Sequence, residues 1–234
     1  MTRPALTEKD LREVAAYTVA EAAGYLGMPA ATLRSWVVGR MYPVAQGERF
    51  SRPVIAIADK ERKRLSFVNL VEAHVLNAIR RTHHIALPKV RNALDYLRRQ
   101  LGSPRPLVDR QFATDSVNLF IEYYGRLMNI TQPGQFAMRE FLSEHLKLIR
   151  RDPQGMPKRL LLFPAHAARR DRHAPIMIDP KISFGRPVLV GTGISTTVLA
   201  QRFEAGETMD ELAEDYGRPR AQIEEAIRFE RRTA

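Results

Sequence analysis

The stretch that decides the fold of the N-terminal part is Tyr17-Thr-Val-Ala-Glu-Ala-Ala-Gly-Tyr-Leu-Gly-Met-Pro-Ala-Ala-Thr-Leu-Arg-Ser-Trp36. Apolar residues recur at helical spacing after Thr18. Glu21 stands three residues beyond this threonine, so the two are predicted to form a capping box. Gly27 can adopt the left-handed conformation of a turn, and Pro29 can open a second helix that ends near Gly39. The spacing therefore predicts two helices joined by a short turn, a helix-turn-helix.

The segment that follows favours a β-hairpin and two longer helices. An apolar run at 53–57, a charged run at 58–64 and the segment 65–67 are typical of a hairpin with a basic tip, which we place at 54–66. Apolar residues at helical spacing then predict a helix from Phe67 to about Arg81 and another over 90–101, closed by Gly102.

The rest of the chain predicts shorter elements. Residues 105–163 favour a mixed α/β segment, with strands near 117–123 and 160–163 and a helix near 136–149. The basic, proline-bracketed stretch 164–175 is expected to be a linker. Beyond it we predict strands at 176–178 and 188–190 and helices at 196–205, 209–216 and 220–231. The fold class is therefore mainly α with small β elements, divided into residues 1–104, 105–163, the linker, and a C-terminal three-helix domain over 176–234.

Composition and charge restrict the classes of function that the chain can have. The 234 residues include 37 Lys and Arg against 26 Asp and Glu, a net charge of +11, and no cysteine. The absence of cysteine excludes disulfides, thiolate zinc sites and cysteine nucleophiles, and it fits a reducing compartment. No secretory signal follows Met1, and no apolar run approaches the roughly 18 residues of a membrane span, so we expect a cytoplasmic protein without a membrane partner.

The charge is unevenly distributed along the chain. Residues 1–175 carry 29 basic and 16 acidic residues, whereas residues 176–234 carry 8 basic and 10 acidic residues. A phosphate backbone would attract the first part and not the second. Uneven surface charge without functional meaning is the alternative. No histidine-based metal motif, GxSxG elbow or phosphate-binding glycine loop occurs, so the sequence favours a protein that is not an enzyme and has no cofactor.

The N-terminal residues resemble the MerR-type winged helix-turn-helix, through 17–36, the hairpin predicted at 54–66 and the helix from Phe67. Pro29 departs from the serine that usually caps the recognition helix in that family. A recognition helix presents polar side chains to base edges, and a basic wing reaches phosphates. Trp36 is more often a core residue. The predicted DNA-binding residues are Thr32, Arg34, Ser35 and Arg40 on or after the second helix, and Lys60, Arg62, Lys63 and Arg64 at the wing tip. A solvated arginine and an ordinary charged turn are the alternatives.

The block Gly185-Arg-Pro-Val-Leu-Val-Gly-Thr192 resembles the bacterial domain-of-unknown-function family 433, apart from Gly193, where many members have arginine. This resemblance implies a homeodomain-like three-helix unit. It also implies a VapB-like antitoxin of a type II toxin–antitoxin pair, whose partner is a PIN-like nuclease toxin. The C-terminal helices are acidic and would suit a basic protein patch, although a structural role at helix ends or DNA binding stays open. The predicted toxin-binding residues are Glu207, Asp210, Glu211, Glu214 and Asp215.

The combined expectation is an antitoxin that represses its own operator as a homodimer. The alternative is a winged-helix transcription regulator without a toxin partner. For dimerisation we predict the middle region, with the possible strand at 117–123 and an apolar stripe, although this stripe could instead be intramolecular core. The stripe consists of Val90, Leu94, Leu97 and Leu101.

Overall fold

A computed structural model of the protein describes residues 10–83, 87–109, 117–128, 130–162 and 175–233, without the side chains of 81–83, 119, 127 and 128. The described chain is mainly helical with two small antiparallel sheets, as predicted. Its helices are α1 (Val19–Tyr25), α2 (Ala30–Val37), α3 (Phe67–His83), α4 (Leu87–Leu101), α5 (Val117–Met128), α6 (Gln132–Leu146), α7 (Thr196–Glu204), α8 (Met209–Asp215) and α9 (Arg220–Thr233). Its strands are β1 (Arg40–Val44), β2 (Gly47–Ser51), β3 (Ile149–Arg151), β4 (Pro157–Leu162), β5 (Ile176–Ile178) and β6 (Val188–Leu189).

The first two helices form the predicted helix-turn-helix. Thr18 Oγ accepts a hydrogen bond from the Glu21 amide at 3.2 Å, and the Glu21 carboxylate accepts one from the Thr18 amide at 2.8 Å, which completes the capping box. Gly27 adopts φ 60° between the helices. In α2, Leu33 and Trp36 are buried. The helix pair is therefore held by local capping and by a shared core, and Trp36 belongs to that core.

The β-hairpin lies earlier in the chain than predicted. β1 pairs with β2, with Arg40 opposite Ser51 and Val44 opposite Gly47. The hairpin predicted at 54–66 is wrong, since this fully described segment holds two isolated bridges, Asp59 to Arg64 and Leu65 to Tyr17, and no strand. Both observed strands are mostly exposed. They carry no alternation of buried apolar and exposed polar residues, which is the pattern that identifies a strand in a sequence.

The apolar run that suggested a strand at 53–57 fills space beneath α2 instead. The amides of Val54 and Ile55 both donate to the Trp36 carbonyl oxygen, at 2.7 and 3.1 Å, and both side chains are buried. The Asn69 side chain accepts from the Ala58 amide and donates to the Ala56 carbonyl oxygen. The apolar side chains of this run fill the core. Its backbone hydrogen-bonds to α2 and to a side chain of α3 rather than to a second strand.

Helices α3 to α6 form the middle of the molecule. α3 packs on α6, α4 packs on α5, and α5 packs on α6. The strand predicted at 117–123 is wrong, because these residues begin α5. Its buried residues Val117, Phe120, Ile121 and Tyr124 follow helical spacing, although their β-branched and aromatic side chains favour strands.

The apolar stripe predicted for dimerisation is intramolecular core. Val90, Leu94 and Leu97 are buried in the central hydrophobic cluster, and Leu101 packs against it. These residues face α5 and their neighbours within the same chain, so they present no surface to a second copy. Homodimerisation stays a prediction, and it needs a different surface from this stripe.

A four-stranded sheet joins the middle of the chain to the C-terminal part. Its strands are ordered β3-β4-β5-β6, all antiparallel. Leu160 lies opposite Ile149 on one side and Ile178 on the other. The strands predicted at 160–163, 176–178 and 188–190 are thereby confirmed, with shifted bounds. The linker predicted at 164–175 lies outside the described residues except for Pro175, and strands from both sides of it pair directly.

The three C-terminal helices occur where they were predicted, to within two residues at each end. They enclose a second small core, made of Leu189, Leu199, Leu212, Ile223, Ala226 and Ile227. α9 also packs on α1, where Phe229 stacks on Tyr25 with ring centroids 6.2 Å apart. Tyr17 Oη donates to the Gly185 carbonyl oxygen at 2.9 Å. The C-terminal part is therefore fixed directly onto the helix-turn-helix.

Candidate nucleic-acid interface

A basic cleft lies where α2, the β1–β2 hairpin and the ends of α3 and α4 meet. Its volume is about 850 Å³. Its lining contains five arginines and no acidic residue. The lining residues are Ala31, Thr32, Ser35, Arg40, Tyr42, Arg49, Phe50, Ser51, Arg52, Arg80, Leu87, Pro88 and Arg91. A concave surface of this charge would concentrate a polyanion such as a phosphate backbone.

The arginines in the cleft are close enough to affect one another. Partial burial lowers the pKa of Arg80, and the nearby charge of Arg40 lowers it further. The Arg80 guanidinium also lies over the Trp36 ring, 5.4 Å from the ring centroid, which holds it against α2. A phosphate between Arg40 and Arg80 would relieve the repulsion between the two guanidinium groups.

Arg91 ties α4 to the end of the hairpin. Its Nη2 atom donates to the Arg52 carbonyl oxygen at 2.5 Å and to Ser51 Oγ at 3.2 Å. Its Nε atom is buried and has no hydrogen-bond partner within the part of the chain that the structure describes. A buried donor without a partner is unfavourable, so an acceptor from a ligand would complete this site.

The structure brings together some of the predicted DNA-binding residues. Thr32, Ser35 and Arg40 all line the cleft, and Ser35 Oγ donates to the Thr32 carbonyl oxygen at 2.7 Å. Arg34 is exposed on α2 but does not line the cleft. Three of the four residues predicted on or after the recognition helix therefore line the cleft.

The predicted wing-tip residues lie elsewhere. Lys60, Arg62, Lys63 and Arg64 are exposed on the turn after Asp59, where Asp59 accepts a hydrogen bond from the Arg62 amide. Arg64 Nη1 lies 3.4 Å from the Ala16 carbonyl oxygen, beside the start of α1. None of the four lines the cleft. They form a second basic surface, separate from the hairpin.

Sequence patterns missed four arginines of the cleft, namely Arg49, Arg52, Arg80 and Arg91. Arg49 and Arg52 lie on or just beyond the hairpin that the sequence placed at 54–66. Arg80 and Arg91 lie near the end of α3 and the start of α4, far along the chain from α2. One sequence feature could have located part of the cleft: Arg49 and Arg52 flank Phe50 and Ser51, just after the turn at Gly47.

The acidic residues predicted to bind a toxin are mostly engaged within the chain. Arg202 pairs with Glu207 and Asp215, and Arg220 pairs with Asp210. Glu211 caps α8, where hydrogen bonds from the Thr208 amide and side chain lower the pKa of its carboxyl. Of the five residues, Glu214 is exposed and makes no ion pair with the described residues. Three of these five carboxylates are thus neutralised by arginines of the same chain, Arg202 on α7 and Arg220 on α9.

The described residues contain neither a group of three or more side chains that could hold a metal ion nor a helix long and apolar enough to cross a membrane. Two histidines meet between α3 and α6. His74 Nε2 lies 3.2 Å from the His145 carbonyl oxygen. Burial first, and the neighbouring His145 second, lower the pKa of His74 to about 4, so its ring is neutral near pH 7.

Two family models match parts of the chain, and the first of them spans the cleft. Residues 15–94 match the family model described as "Putative DNA-binding HTH domain", and residues 176–229 match the one described as "Protein of unknown function (DUF433)". The first match covers α1, α2, the hairpin, α3 and the first half of α4. It therefore includes every residue that lines the cleft.

Proteins from Mycobacterium tuberculosis match this chain along almost its whole length. "Putative antitoxin VapB45" is 30% identical over 94% of this chain and 96% of its own length. "Uncharacterized protein Rv2308" is 22% identical over 93% of this chain and 90% of its own length. The X-ray crystal structure of Rv2018 is 26% identical, with a TM-score of 0.67 over 92% of this chain and 97% of that one.

Proposed function

Since the chain belongs to the family of "Putative antitoxin VapB45", we propose that it is the antitoxin of a type II toxin–antitoxin pair and represses its own operator. The N-terminal part supplies DNA binding, and the C-terminal part binds and neutralises a PIN-like nuclease toxin. The observation that supports the DNA-binding half most directly is the arginine-lined cleft beside α2, inside the stretch that matches a DNA-binding family model.

The geometry of the cleft suggests how DNA is bound. α2 serves as the recognition helix, with Thr32 and Ser35 near base edges, and the β1–β2 hairpin serves as the wing. Arg40 and Arg49 then contact the phosphates that flank the groove, while Arg80 and Arg91 line the wall of the cleft. Arg34, exposed on α2, is proposed to contact a further phosphate, and the turn carrying Lys60, Arg62, Lys63 and Arg64 is proposed to contact others beside the start of α1.

A homodimer fits this function because two recognition helices related by a two-fold axis read two half-sites. The dimer surface lies outside the buried stripe of α4. The toxin-binding role of Glu207, Asp210, Glu211, Glu214 and Asp215 stays a prediction, and Glu214 is the member with the freest carboxylate.

Operator binding is tested by fluorescence anisotropy with a duplex from the region upstream of the gene, over a series of salt concentrations. The cleft variant R40A/R49A removes two exposed cations from the hairpin. Because each lost phosphate contact lowers the slope of log affinity against log salt by about 0.9, we expect a slope about 2 smaller than that of the unaltered protein. R150A removes an exposed arginine on β3 and serves as the matched control.

A second variant, R62A/K63A, separates the turn after Asp59 from the hairpin. If both double variants weaken binding and R150A does not, both basic surfaces contact DNA. If R62A/K63A alone weakens binding, the cleft is not the phosphate site and the proposed docking is wrong. A salt slope near zero for the unaltered protein would refute DNA binding by cation contacts altogether.

Toxin neutralisation and autorepression need separate measurements. The product of the adjacent reading frame should arrest growth when expressed alone and should be neutralised by co-expression of this chain. A reporter gene behind the upstream region should be repressed by the chain and released by R40A/R49A. Repression without any effect on the neighbouring product would favour the alternative, a transcription regulator without a toxin.

A further inference from the structure

Three consecutive residues in the C-terminal part have left-handed backbone conformations. Ser183, Phe184 and Gly185 have φ values of 48°, 55° and 76°. This conformation is unfavourable for serine and phenylalanine, because Cβ approaches the following carbonyl oxygen. Such strain persists only where the surrounding structure imposes it, and it is concentrated at functional sites.

The surrounding structure fixes this turn from two sides. The Gly185 carbonyl oxygen accepts from Tyr17 Oη at 2.9 Å, and a Cβ at position 185 would lie only 2.4 Å from that hydroxyl. On the other side, the buried Asp179 carboxylate accepts from Arg159 Nε at 2.7 Å and from the Lys181 amide at 2.9 Å. The conformation at residues 183–185 is therefore set by tertiary contacts and not by local preference.

As a result, the side chain of Phe184 is exposed to solvent. Its side chain is 95% exposed, compared with 64% for Phe136 and 52% for Phe50, the other exposed phenylalanines among the described residues. Because its ring is exposed, Phe184 adds no packing contacts that would stabilise the chain by itself and offset the strain of the turn. An exposed aromatic side chain on a backbone fixed by tertiary contacts suits an interface anchor, because no backbone freedom is lost on binding.

The charges beside Phe184 indicate which surface it fits. Lys181 and Arg186 flank it and are both exposed, whereas the one acidic residue of this stretch, Asp179, is buried against Arg159. Arg186 has Glu21 as a distant partner at 4.0 Å, and the Glu21 carboxylate already caps α1. A cleft of about 470 Å³ adjoins the turn, lined by Arg159, Met177, Ile182, Gly191, Thr192 and Gly193. The complementary surface is therefore an apolar pocket with carboxylates at its rim.

We propose that Phe184 is the anchor through which the C-terminal part binds its protein partner, entering such a pocket while Lys181 and Arg186 pair with acidic groups around it. The proposal rests on the proposed function, since the partner is taken to be the toxin. A protein fits better than DNA because a protein surface can offer an apolar pocket for the phenylalanine ring together with carboxylates for Lys181 and Arg186. The partner also fits this turn better than the acidic surface around α8, where Glu207, Asp210 and Asp215 are already paired with arginines of the same chain.

The test measures binding of the full chain to the purified product of the adjacent reading frame by calorimetry. We expect F184A to weaken binding by about 30-fold or more, which is typical of an interface anchor. The matched control F136A removes another exposed phenylalanine, on α6, and should change affinity by less than about twofold. K181E/R186E places negative charges opposite the acidic groups of the partner, so association should be slower and should speed up as salt is added.

Loss of folding is separated from loss of contact by two measurements. Because Phe184 makes little packing contact, F184A should keep the thermal unfolding transition and the operator affinity of the unaltered protein. F184Y should retain toxin binding, since it keeps the ring.

Five outcomes overturn the proposal. If the unaltered chain binds the product and F184A binds equally well, the anchor is wrong while the antitoxin function stands. If E214Q and not F184A abolishes binding, the interface is the acidic helices. If F184A changes the mass of the free chain in sedimentation, the surface joins two copies, and if it weakens operator binding, the surface contacts DNA. Failure of the unaltered chain to bind the product refutes the antitoxin function first, and the anchor with it.

Discussion

Replacing Gly185 with alanine tests how closely the C-terminal part is fitted to the helix-turn-helix. Gly185 has φ 76° and lies against Tyr17, whose hydroxyl would be 2.4 Å from the new Cβ. Gly191 has the same φ of 76°, but a Cβ there would meet nothing within 4 Å. The two glycines therefore share the backbone effect of an alanine and differ only in the steric contact.

The magnitudes follow from these two terms. Alanine in the left-handed region costs about 1–2 kcal/mol, which is the whole effect expected for G191A. Overpacking against Tyr17 adds about 1–3 kcal/mol, so G185A should lower the free energy of unfolding by about 2–5 kcal/mol. Burial raises the pKa of Tyr17, so its hydroxyl is a protonated donor at neutral pH. Y17F removes this donor and leaves the Gly185 carbonyl oxygen unpaired, at about 1–3 kcal/mol.

The double variant Y17F/G185A gives the sharpest result. Once the hydroxyl is gone, the next atom near the Cβ is the Tyr17 Cζ at 3.4 Å, an ordinary contact distance. In the Y17F background G185A should therefore cost only the backbone term, and the two substitutions should couple by about 1–3 kcal/mol. Urea denaturation followed by the fluorescence of Trp36, the single tryptophan, measures all four proteins.

Two results would refute this reasoning. Equal losses for G185A and G191A, within about 0.5 kcal/mol, would mean that no close contact exists at Tyr17. Strict additivity of Y17F and G185A would mean that the hydroxyl is not the atom that the Cβ meets.

Two further substitutions test other parts of the structure. G193R should leave the free energy of unfolding within about 0.5 kcal/mol of the unaltered protein, because Gly193 is outside the left-handed region and a Cβ there would enter open space. A clear loss of stability on urea denaturation would contradict this. Burial raises the pKa of Glu72 to about 7, so the folded state binds the proton of this carboxyl more tightly than the unfolded state does. The contribution of protonated Glu72 to the free energy of unfolding is therefore lost as pH rises from the ordinary glutamate pKa through 7. E72Q does not titrate, so it should gain up to about 3 kcal/mol relative to the unaltered protein between pH 4.5 and pH 8, and a difference independent of pH would disprove the assignment.

Elements set by near neighbours were predictable from the chain alone. The capping box of Thr18 and Glu21, the glycine turn at Gly27 and the three C-terminal helices all depend on residues within a few positions of one another. The same reasoning failed at 117–123, where β-branched and aromatic composition was weighed above the helical spacing of the buried residues. It failed again at 54–66, where an apolar run was buried without being a strand.

The candidate DNA site was predictable only in its recognition helix. Thr32, Ser35 and Arg40 follow one another closely, so a helix-turn-helix pattern places them together. Arg80 and Arg91 enter the same cleft from helices that lie about 40 or more residues further along the chain, and no local pattern records that approach. The hairpin that completes the cleft is exposed on both faces, so it lacks the alternation that marks a strand.

The sequence by itself determined the helix-turn-helix, the three C-terminal helices, the basic character of the first 175 residues and the acidic character of the rest. These properties depend on composition and on spacing along a few turns. Only the tertiary structure decided which charges remain available, because Arg202 and Arg220 neutralise carboxylates 5 to 13 residues away in the chain. It also decided that Phe184 is exposed, because the contact between Tyr17 and Gly185 spans 168 positions. Contacts between distant residues depend on how whole elements pack, and local sequence patterns do not contain that information.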